Sequence, residues 1–297
     1  MQGIYVGSFD KNKKDLLLKL NPDFIWAHEL DEGYSCFLKE NGIKVYYPIG
    51  VFGISEEEQK DGFSATRKDG KPVETYAGWY RGGCPSNTTL RKKRLKKIKM
   101  DFETGFYDGV WLDSIRFPTY WETKKPSYLD TCYCDTCLEK HKSSGMEWED
   151  FRISQITSFL NEVKKIVRDK PLGYFAVPET EERLHSIFAQ PAREFEKIVD
   201  YSSPMIYPQM IGKNGRWIKE TLKYFKDIFG KDRVIPILQV VKMPDDSNDK
   251  FEENDLESAV EIMLKDKHIS YFMLDQLLKD KKRQKTVISL FRKGEEK

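Results

Sequence analysis

Long apolar runs are missing from this 297-residue sequence. A transmembrane helix requires ~20 consecutive apolar residues, and no stretch comes near that length. The first residues lead directly into a short predicted strand, without the basic and then apolar layout of a signal peptide. These absences predict a cytoplasmic protein that has no contact with a membrane.

A surplus of either charge is missing as well, since 50 Lys and Arg residues face 48 Asp and Glu residues. Nucleic-acid-binding proteins usually carry a clear basic excess, so we expect no nucleic-acid partner. The densest basic run falls in a predicted helix, TTLRKKRLKKIKMDFETG, in which Leu95, Ile98 and Phe102 recur at helical spacing. We interpret its basic residues as the solvated face of that helix rather than as a nucleic-acid patch.

Several catalytic motifs are absent too. No GxGxxG follows the first strand and no GxxxxGKS or GxxxxGKT occurs, so the nucleotide-binding folds lose their main signature. The GxSxG nucleophile elbow and the HExxH zinc motif are also missing. The chemistry must therefore come from residues outside these motifs.

The sequence does contain an alternation of short apolar strands and amphipathic helices, repeated about eight times. Strands that each lead into a helix form parallel sheets with right-handed crossovers, and this number of units favours a closed barrel. We therefore predict the α/β class and a (β/α)8 TIM barrel, built as one domain over residues 1–297. Extended loops are predicted after strand three (54–87) and strand four (117–148). The predicted strands are GIYVG, DFIWAHEL, KVYYPIG, DGVWLD, LGYFAV, SSPMIYP, RVIPILQVV and ISYFMLD.

Four of the five cysteines have the spacing of metal ligands. Cys132, Cys134 and Cys137 form the loop CYCDTC, and Cys84 lies in GGCPSN before the basic helix. Loops that follow neighbouring barrel strands are adjacent, so the four thiolates can converge. Four cysteines suit a closed, structural Zn²⁺ site; an iron–sulfur cluster and unligated thiols are the alternatives. We expect the remaining cysteine, Cys36, to be a small buried residue.

The order of these motifs resembles a known family. GGCPSN, a basic helix, DGVWLDSIRFP and CYCDTC follow one another as in uncharacterised barrel proteins that are grouped as glycoside hydrolases. The resemblance is specific from Gly82 to Cys137, and SPMIYP, from Ser203, resembles the sixth strand of that family. The cysteine layout is also similar, more distantly, to that of the zinc-cluster β-galactosidases. The resemblance implies a carbohydrate substrate and a structural metal.

The chain departs from those β-galactosidases in two places. They carry an Asn-Glu pair at the end of strand four, where this chain has Leu112 and Asp113. Strand seven ends here in Gln239, without an obvious match to their nucleophile. Their catalytic pair therefore does not carry over to this chain.

Asp113 is the first candidate for the chemistry, because it ends strand four and barrel enzymes keep catalytic groups at the C-terminal ends of their strands. It shares a strand face with Trp111, so both side chains point into the barrel if either does. We interpret Asp113 as a nucleophile or general base, with Arg116 holding it ionised or gripping the substrate. The alternative is an Asp–Arg pair that only fixes the loop.

Glycoside hydrolysis generally needs a second carboxyl group. Glu179 is the leading candidate, because it follows strand five, the neighbour of strand four. Asp275, at the end of strand eight, is next, and Glu29 after strand two is third. A general acid among them needs a raised pKa, and each is alternatively a helix cap or a salt-bridge partner.

Four more residues are candidates for binding the substrate. Tyr207 and Gln239 end strands six and seven, where a hydroxyl and an amide can bond to sugar hydroxyls. Trp79, in the long third loop, can stack on a sugar face, and His28 ends strand two. The alternatives are a core position for Tyr207 and local packing for Trp79.

Together these residues predict a glycoside hydrolase-like enzyme that cleaves a glycosidic bond with two carboxylates at the C-terminal rim of the barrel. One alternative is a non-catalytic carbohydrate-binding barrel that has lost a carboxylate. Another is a barrel lyase or isomerase acting on sugar acids, in which Arg116 binds the substrate carboxylate. Fold alone does not choose among them.

Overall fold

Eight strands, β1 to β8, pair in parallel and in chain order, and β8 pairs with β1 to close a barrel. The predicted (β/α)8 fold is therefore confirmed. The computed structural model describes residues 1–242, 253–266 and 268–295. The strands are β1 Gln2–Ser8, β2 Phe24–His28, β3 Lys44–Gly50, β4 Gly109–Asp113, β5 Leu172–Ala176, β6 Tyr201–Ile206, β7 Ile237–Gln239 and β8 Ile269–Phe272.

Helices cover the outside of the barrel and follow the apolar periodicity of the sequence. In the longest one, Ile156, Phe159 and Val163 recur at helical spacing and are all buried. Within the described residues, no helix combines the length and the apolar character that crossing a membrane requires. The helices are α1 Lys14–Leu20, α2 Glu32–Glu40, α3 Glu56–Lys60, α4 Thr88–Phe102, α5 Asp135–Ser144, α6 Trp148–Val167, α7 Glu181–Ser186, α8 Ala192–Glu196, α9 Gly215–Phe229, α10 Glu253–Met263, α11 Leu274–Leu277 and α12 Lys281–Glu295.

Aromatic side chains fill the barrel interior. The ring of Trp26 on β2 packs against Trp111 on β4, with 5.6 Å between centroids, and against Phe175 on β5 at 5.2 Å. Trp111 has room because residue 173 is glycine: a Cβ at Gly173 would lie 2.2 Å from the indole. The indole N–H of Trp111 donates to Ser203 Oγ over 2.9 Å. This layer of packed aromatic side chains fills the barrel interior below its C-terminal end.

The last two strands are shorter than the sequence pattern predicts. β7 begins only after Pro236, which has no N–H to donate to a neighbouring strand. β8 ends at Phe272, and the short helix α11 begins at Leu274. Leu274 and Leu277 are both buried, three residues apart, which is helical spacing. Asp275 therefore lies on a helix and not at a strand end.

A buried ion pair fixes the start of the long loop after β3. The guanidinium of Arg94, on α4, donates to both carboxylate oxygens of Glu58 over 2.7 Å. It also donates to the carbonyls of Val51, over 2.8 Å, and Gly53, over 2.9 Å. Glu58 completes a capping box with Ser55 at the start of α3. One arginine thus holds the loop's first turn and its helix against α4.

We predict that Glu58→Gln destabilises the protein by roughly 3–5 kcal/mol, because it leaves the buried charge of Arg94 without a counter-ion. The hydrogen bond from Arg94 lowers the pKa of Glu58 from 4.5 to about 2. Its stabilising contribution is complete above the unfolded pKa near 4.5 and is lost as the pH falls toward 2. Urea denaturation between pH 7 and pH 3 measures both effects.

Glu57→Gln is the matched control, because Glu57 lies exposed on the same helix. It should change the free energy of unfolding by less than about 0.5 kcal/mol. Equal stabilities of the two variants at pH 7 would contradict the role given to the ion pair.

Candidate functional site

A cavity of about 750 Å³ opens at the C-terminal end of the barrel. Its size is that of a site for a small organic ligand. Strand ends supply its deeper part, and the loops after β3 and β4 supply its mouth. It is lined by Tyr5, Ala77, Gly78, Trp79, Asp113, Glu122, Phe175, Met205, Tyr207, Met210, Ile237, Phe272, Met273 and Gln276.

Asp113 is the last residue of β4, and its side chain lines this cavity. The next residue, Ser114, has φ of 52°, a left-handed conformation that residues with a Cβ rarely adopt. Its N–H donates to Asp113 Oδ1 over 2.6 Å. Burial raises the pKa of Asp113, and the charge of Arg116 opposes that rise. Strained backbone beside a carboxyl group with a shifted pKa is typical of functional sites.

Glu122 brings a second carboxylate to the same cavity. It lies in the loop after β4, two residues beyond Tyr120. The ring of Tyr120 stacks on Tyr76 with 5.1 Å between centroids and 6° between planes. This contact joins the segment that carries Glu122 to the one that carries Trp79. Trp79 is 52% exposed at the cavity mouth, in position to meet a ligand.

Tyr207 lies just beyond β6 and forms part of the cavity wall. Its ring stacks on Trp121 at 6.1 Å and on Phe272 at 5.4 Å. Burial raises the pKa of Tyr207, and the charges of Glu122 and Asp113 raise it further. Its hydroxyl therefore stays protonated and can donate a hydrogen bond near both carboxylates.

The structure places Glu179 outside the lining of this cavity. Its carboxylate accepts a hydrogen bond from the hydroxyl of Tyr128 and pairs with Arg183 Nη1 at 3.1 Å. Tyr128 belongs to the loop after β4, and Arg183 lies on α7. Glu179 thus fastens the β4 loop to the segment after β5, which is the salt-bridge alternative foreseen for it.

Asp275 likewise lies outside the cavity lining. It forms an ion pair with Lys13, whose side chain is 3% exposed and also donates to the carbonyl of Val6 over 3.0 Å. An isolated buried ammonium group is costly, so Asp275 stabilises the fold as its counter-ion. Asp275 also helps to raise the pKa of Tyr5, after burial and the charge of Asp113.

Gln239 and His28 are not brought to the cavity either. Gln239 is fully buried, where its Oε1 accepts from the N–H of Met210 over 3.3 Å and its Nε2 donates to the carbonyl of Val241 over 3.1 Å. His28 lines a separate cavity of about 370 Å³, together with Glu29. Burial lowers the pKa of His28 there.

Arg116 is 3% exposed and does not line the cavity. Its guanidinium carbon lies 5.5 Å from the centroid of the Tyr80 ring. Its charge reaches Asp113 and opposes the rise in that residue's pKa. Of the two functions predicted for Arg116, the geometry favours an electrostatic effect on Asp113 over contact with a substrate.

Sequence reasoning missed Glu122, Tyr5 and Phe175. Glu122 lies in an irregular loop, where no periodicity tells which side chains point inward. Tyr5 and Phe175 lie on predicted strands, but strands of a parallel barrel are buried on both faces, so their side chains do not alternate visibly in polarity. Phe175 could have been predicted from its position near the end of β5, because β5 pairs with β4, the strand that ends in Asp113.

The four predicted metal ligands converge. The sulfur atoms of Cys84, Cys132, Cys134 and Cys137 all lie within 4.8 Å of one another. Cys84 Sγ is 3.6 Å from Cys134 Sγ and 3.5 Å from Cys137 Sγ. A tetrahedral ion with metal–sulfur bonds of ~2.3 Å would place its sulfurs ~3.8 Å apart, so the cluster fits such an ion. The expectation that Cys36 is buried is wrong, since it lies exposed on α2.

The cysteine cluster joins the two loops that form the cavity mouth. Cys84 lies near the end of the loop after β3, Cys132 and Cys134 lie at the end of the loop after β4, and Cys137 lies in the first turn of α5. Two hydrogen bonds support the junction. The N–H of Thr66 donates to Cys132 Sγ over 3.2 Å, and the N–H of Tyr133 donates to the carbonyl of Thr66 over 2.8 Å. The cluster and these bonds therefore join the loop that carries Trp79 to the loop that carries Glu122.

No protein-family model matches the sequence, and no curated protein matches it. Among solved structures, the chain is similar to the glycoside hydrolase domain of PgaB (BpsB) from Bordetella bronchiseptica, with a TM-score of 0.73, 13% identity and 98% of each chain covered. It is similar to the β-galactosidase from the psychrophilic Marinomonas ef1, with a TM-score of 0.71 and 9% identity. That match covers 98% of this chain and spans 59% of the β-galactosidase.

The glycoside hydrolase domain of PelA from Pseudomonas aeruginosa is also similar, with a TM-score of 0.55, 11% identity, and 92% and 96% of the two chains covered. The expected resemblance to glycoside hydrolase barrels is thus confirmed in three dimensions. At these identities it establishes a shared fold, and the chemistry depends on the residues of this chain.

We predict that Glu179→Gln lowers the free energy of unfolding by roughly 1.5–3 kcal/mol, because it removes charge-assisted hydrogen bonds that join two loops. Chemical denaturation measures the change. Glu182→Gln, at an exposed position on α7, is the control and should have almost no effect. Unchanged stability combined with a large loss of turnover would contradict this structural role and return Glu179 to the catalytic pair.

Proposed function

We propose that the protein is a glycoside hydrolase that cleaves a glycosidic bond in the 750 Å³ cavity, with Asp113 and Glu122 as its carboxyl pair. The observation that carries this proposal is the presence of both carboxyl groups in one aromatic-walled cavity at the C-terminal rim of the barrel. Hydrolysis of a glycoside needs two such groups flanking the bond. The fold shared with glycoside hydrolase domains supports the same reaction class.

The two carboxyl groups have different roles in the proposed mechanism. One must hold a proton for the leaving oxygen, and the other must be ionised to attack the sugar or to activate water. Burial raises the pKa of Asp113, which suits it to hold the proton as general acid. Glu122 then acts as nucleophile or base. This differs from the sequence-based assignment, which made Asp113 the nucleophile or general base.

Glu179 and Asp275 are left out of the pair, because neither lines the cavity; each forms an ion pair outside it. The lyase alternative needs Arg116 to reach a substrate carboxylate, and burial beside Tyr80 does not favour that contact. The non-catalytic alternative differs from the proposal only in turnover, so the kinetic test below also separates those two.

We expect Asp113→Asn to lower kcat/KM by about 10²–10⁴-fold on glycosides of alcohols, because their leaving oxygen needs a proton. The loss should be much smaller on 2,4-dinitrophenyl glycosides, whose leaving group departs without one. Initial rates on a panel of glycosides, with wild type and variant side by side, measure both losses. Activity should fall as the pH rises through the raised pKa of Asp113.

Glu122→Gln should lose activity on both kinds of substrate, since a nucleophile or base is needed whatever the leaving group. Asp15→Asn, at an exposed position on α1, is the control and should match the wild type. Binding of sugars without turnover by the wild type would favour the non-catalytic barrel. Full activity of Asp113→Asn would contradict the mechanism.

We also propose that the cysteine cluster holds a structural zinc ion through Cys84, Cys132, Cys134 and Cys137. The separations of 3.5 and 3.6 Å between sulfurs support a single tetrahedral ion. An iron–sulfur cluster has iron and sulfide atoms between its ligands and would keep the cysteines farther apart. With four thiolates bound, the ion would have no open position for water, so its contribution is to hold the two loops.

We predict close to one zinc per chain by elemental analysis of the purified protein. Cys84→Ser should lose the metal and unfold at a temperature lower by roughly 5 °C or more, because the ion's binding free energy contributes to folding. Cys36→Ser, outside the cluster and exposed, is the matched control and should keep both metal and stability. Purified protein with iron and sulfide, or with no metal, would contradict the assignment of zinc.

A further inference from the structure

The cavity has two chemically different sides. Asp113, Glu122 and Trp79 occupy the side formed by β4 and the loops after β3 and β4. On the opposite side, formed by β6, β7, β8 and the segments that follow β6 and β8, thioether and hydrocarbon groups predominate, and Tyr207 and Gln276 contribute the polar groups. We call this side the apolar wall; its members are Met205, Met210, Ile237, Phe272 and Met273.

The apolar wall cannot replace the hydrogen bonds that a sugar makes with water. None of its side chains has a donor, and a methionine sulfur is only a weak acceptor. Met205 is 5% exposed and Ile237 is fully buried, so the wall is part of a well-packed surface. A sugar hydroxyl pressed against it would lose its hydrogen bonds to water without compensation.

An aromatic ring fits the same wall well. Methionine is flexible and makes favourable contacts between its sulfur and an aromatic ring. The ring of Phe272 lines this wall and stacks on Tyr207 with 5.4 Å between centroids, so the wall already contains an aromatic surface. The cavity, at about 750 Å³, also has room for a sugar unit together with an aromatic group.

Resting on the proposed glycosidase function, we infer that the natural substrate is a glycoside with an aromatic aglycone. The aglycone packs against the apolar wall, and the glycosidic bond faces Asp113 and Glu122 across the cavity. A sugar unit could turn a C–H face toward that wall, but the hydroxyl groups at its edge would find no hydrogen-bond donor among the five side chains of the wall. The inference thus narrows the substrate class of the same site.

The test uses phenol, 4-methylphenol, 4-ethylphenol and 4-propylphenol as probes of the apolar wall, with affinity measured by calorimetry. These probes contain no sugar, so the outcome does not depend on whether the protein hydrolyses anything. Each added methylene group buried against the wall should tighten binding by about fourfold. Affinity that is independent of chain length would overturn the inference, even if glycosides are hydrolysed.

A matched pair of variants locates the binding. Met273→Gln keeps the length of the side chain and makes it polar. It should reduce the increase in probe affinity for each added methylene group to less than about twofold. Met273→Leu keeps the wall apolar and should preserve the wild-type gain. If Met273→Gln does not fold, as judged by circular dichroism, the affinities of the wild-type protein for the four phenols still show whether an apolar surface binds the alkyl chain. If folded Met273→Gln keeps the wild-type increase in affinity per methylene group, the aromatic group does not bind at this wall.

The proposed hydrolase function and the aromatic aglycone can be tested independently of each other. A strong dependence on chain length in a protein that hydrolyses no glycoside, whether of an alcohol or of a phenol, would support an aromatic occupant of the wall and overturn the hydrolase. Hydrolysis of aryl glycosides with no dependence on the alkyl chain would support the hydrolase and overturn the inference drawn from the apolar wall.

Discussion

The geometry of the candidate site depends on one constraint: the junction of two loops at the four-cysteine cluster. A barrel fixes its strand ends well, but residues 51–87 and 114–134 are long connections that would otherwise be free to sample many arrangements. The sulfur atoms of Cys84, Cys132, Cys134 and Cys137 converge, and the metal ion proposed for them would remove that freedom at the base of both loops. Further contacts then act locally, with Arg94 holding Glu58, Tyr120 stacking on Tyr76, and Glu179 binding Tyr128.

The chemistry proposed for the cavity depends on where each carboxyl group near the rim of the barrel lies. Asp113 lies at a strand end above a packed aromatic layer, where burial raises its pKa. Glu179 and Asp275 are also carboxylates near the rim, but neither lines the cavity, and each forms an ion pair that stabilises the fold. Which carboxylates are candidates for catalysis is therefore decided by whether the tertiary structure brings them to the cavity. Residue type and position near a strand end do not decide it.

The parts of the structure that follow from local patterns could be predicted from the sequence. The repeated strand and helix units predicted the barrel, the parity with Trp111 pointed Asp113 into it, and the cysteine spacing predicted the cluster. Asp275 was misplaced because a four-residue helix has too few positions for a clear periodic pattern. Glu122 was missed because its position depends on a tertiary junction of two loops, and such contacts between distant residues leave no periodic signal in the sequence.

A crystal structure of Asp113→Asn soaked with a glycoside that the wild type hydrolyses would show whether Asp113 and Glu122 flank the bond that is cleaved. The glycosidic oxygen should lie within hydrogen-bonding distance of residue 113. In the wild type, the carboxyl carbon atoms of Asp113 and Glu122 should lie about 5–9.5 Å apart. A glycoside bound outside the cavity, or carboxyl groups separated by much more than ~10 Å, would contradict this arrangement.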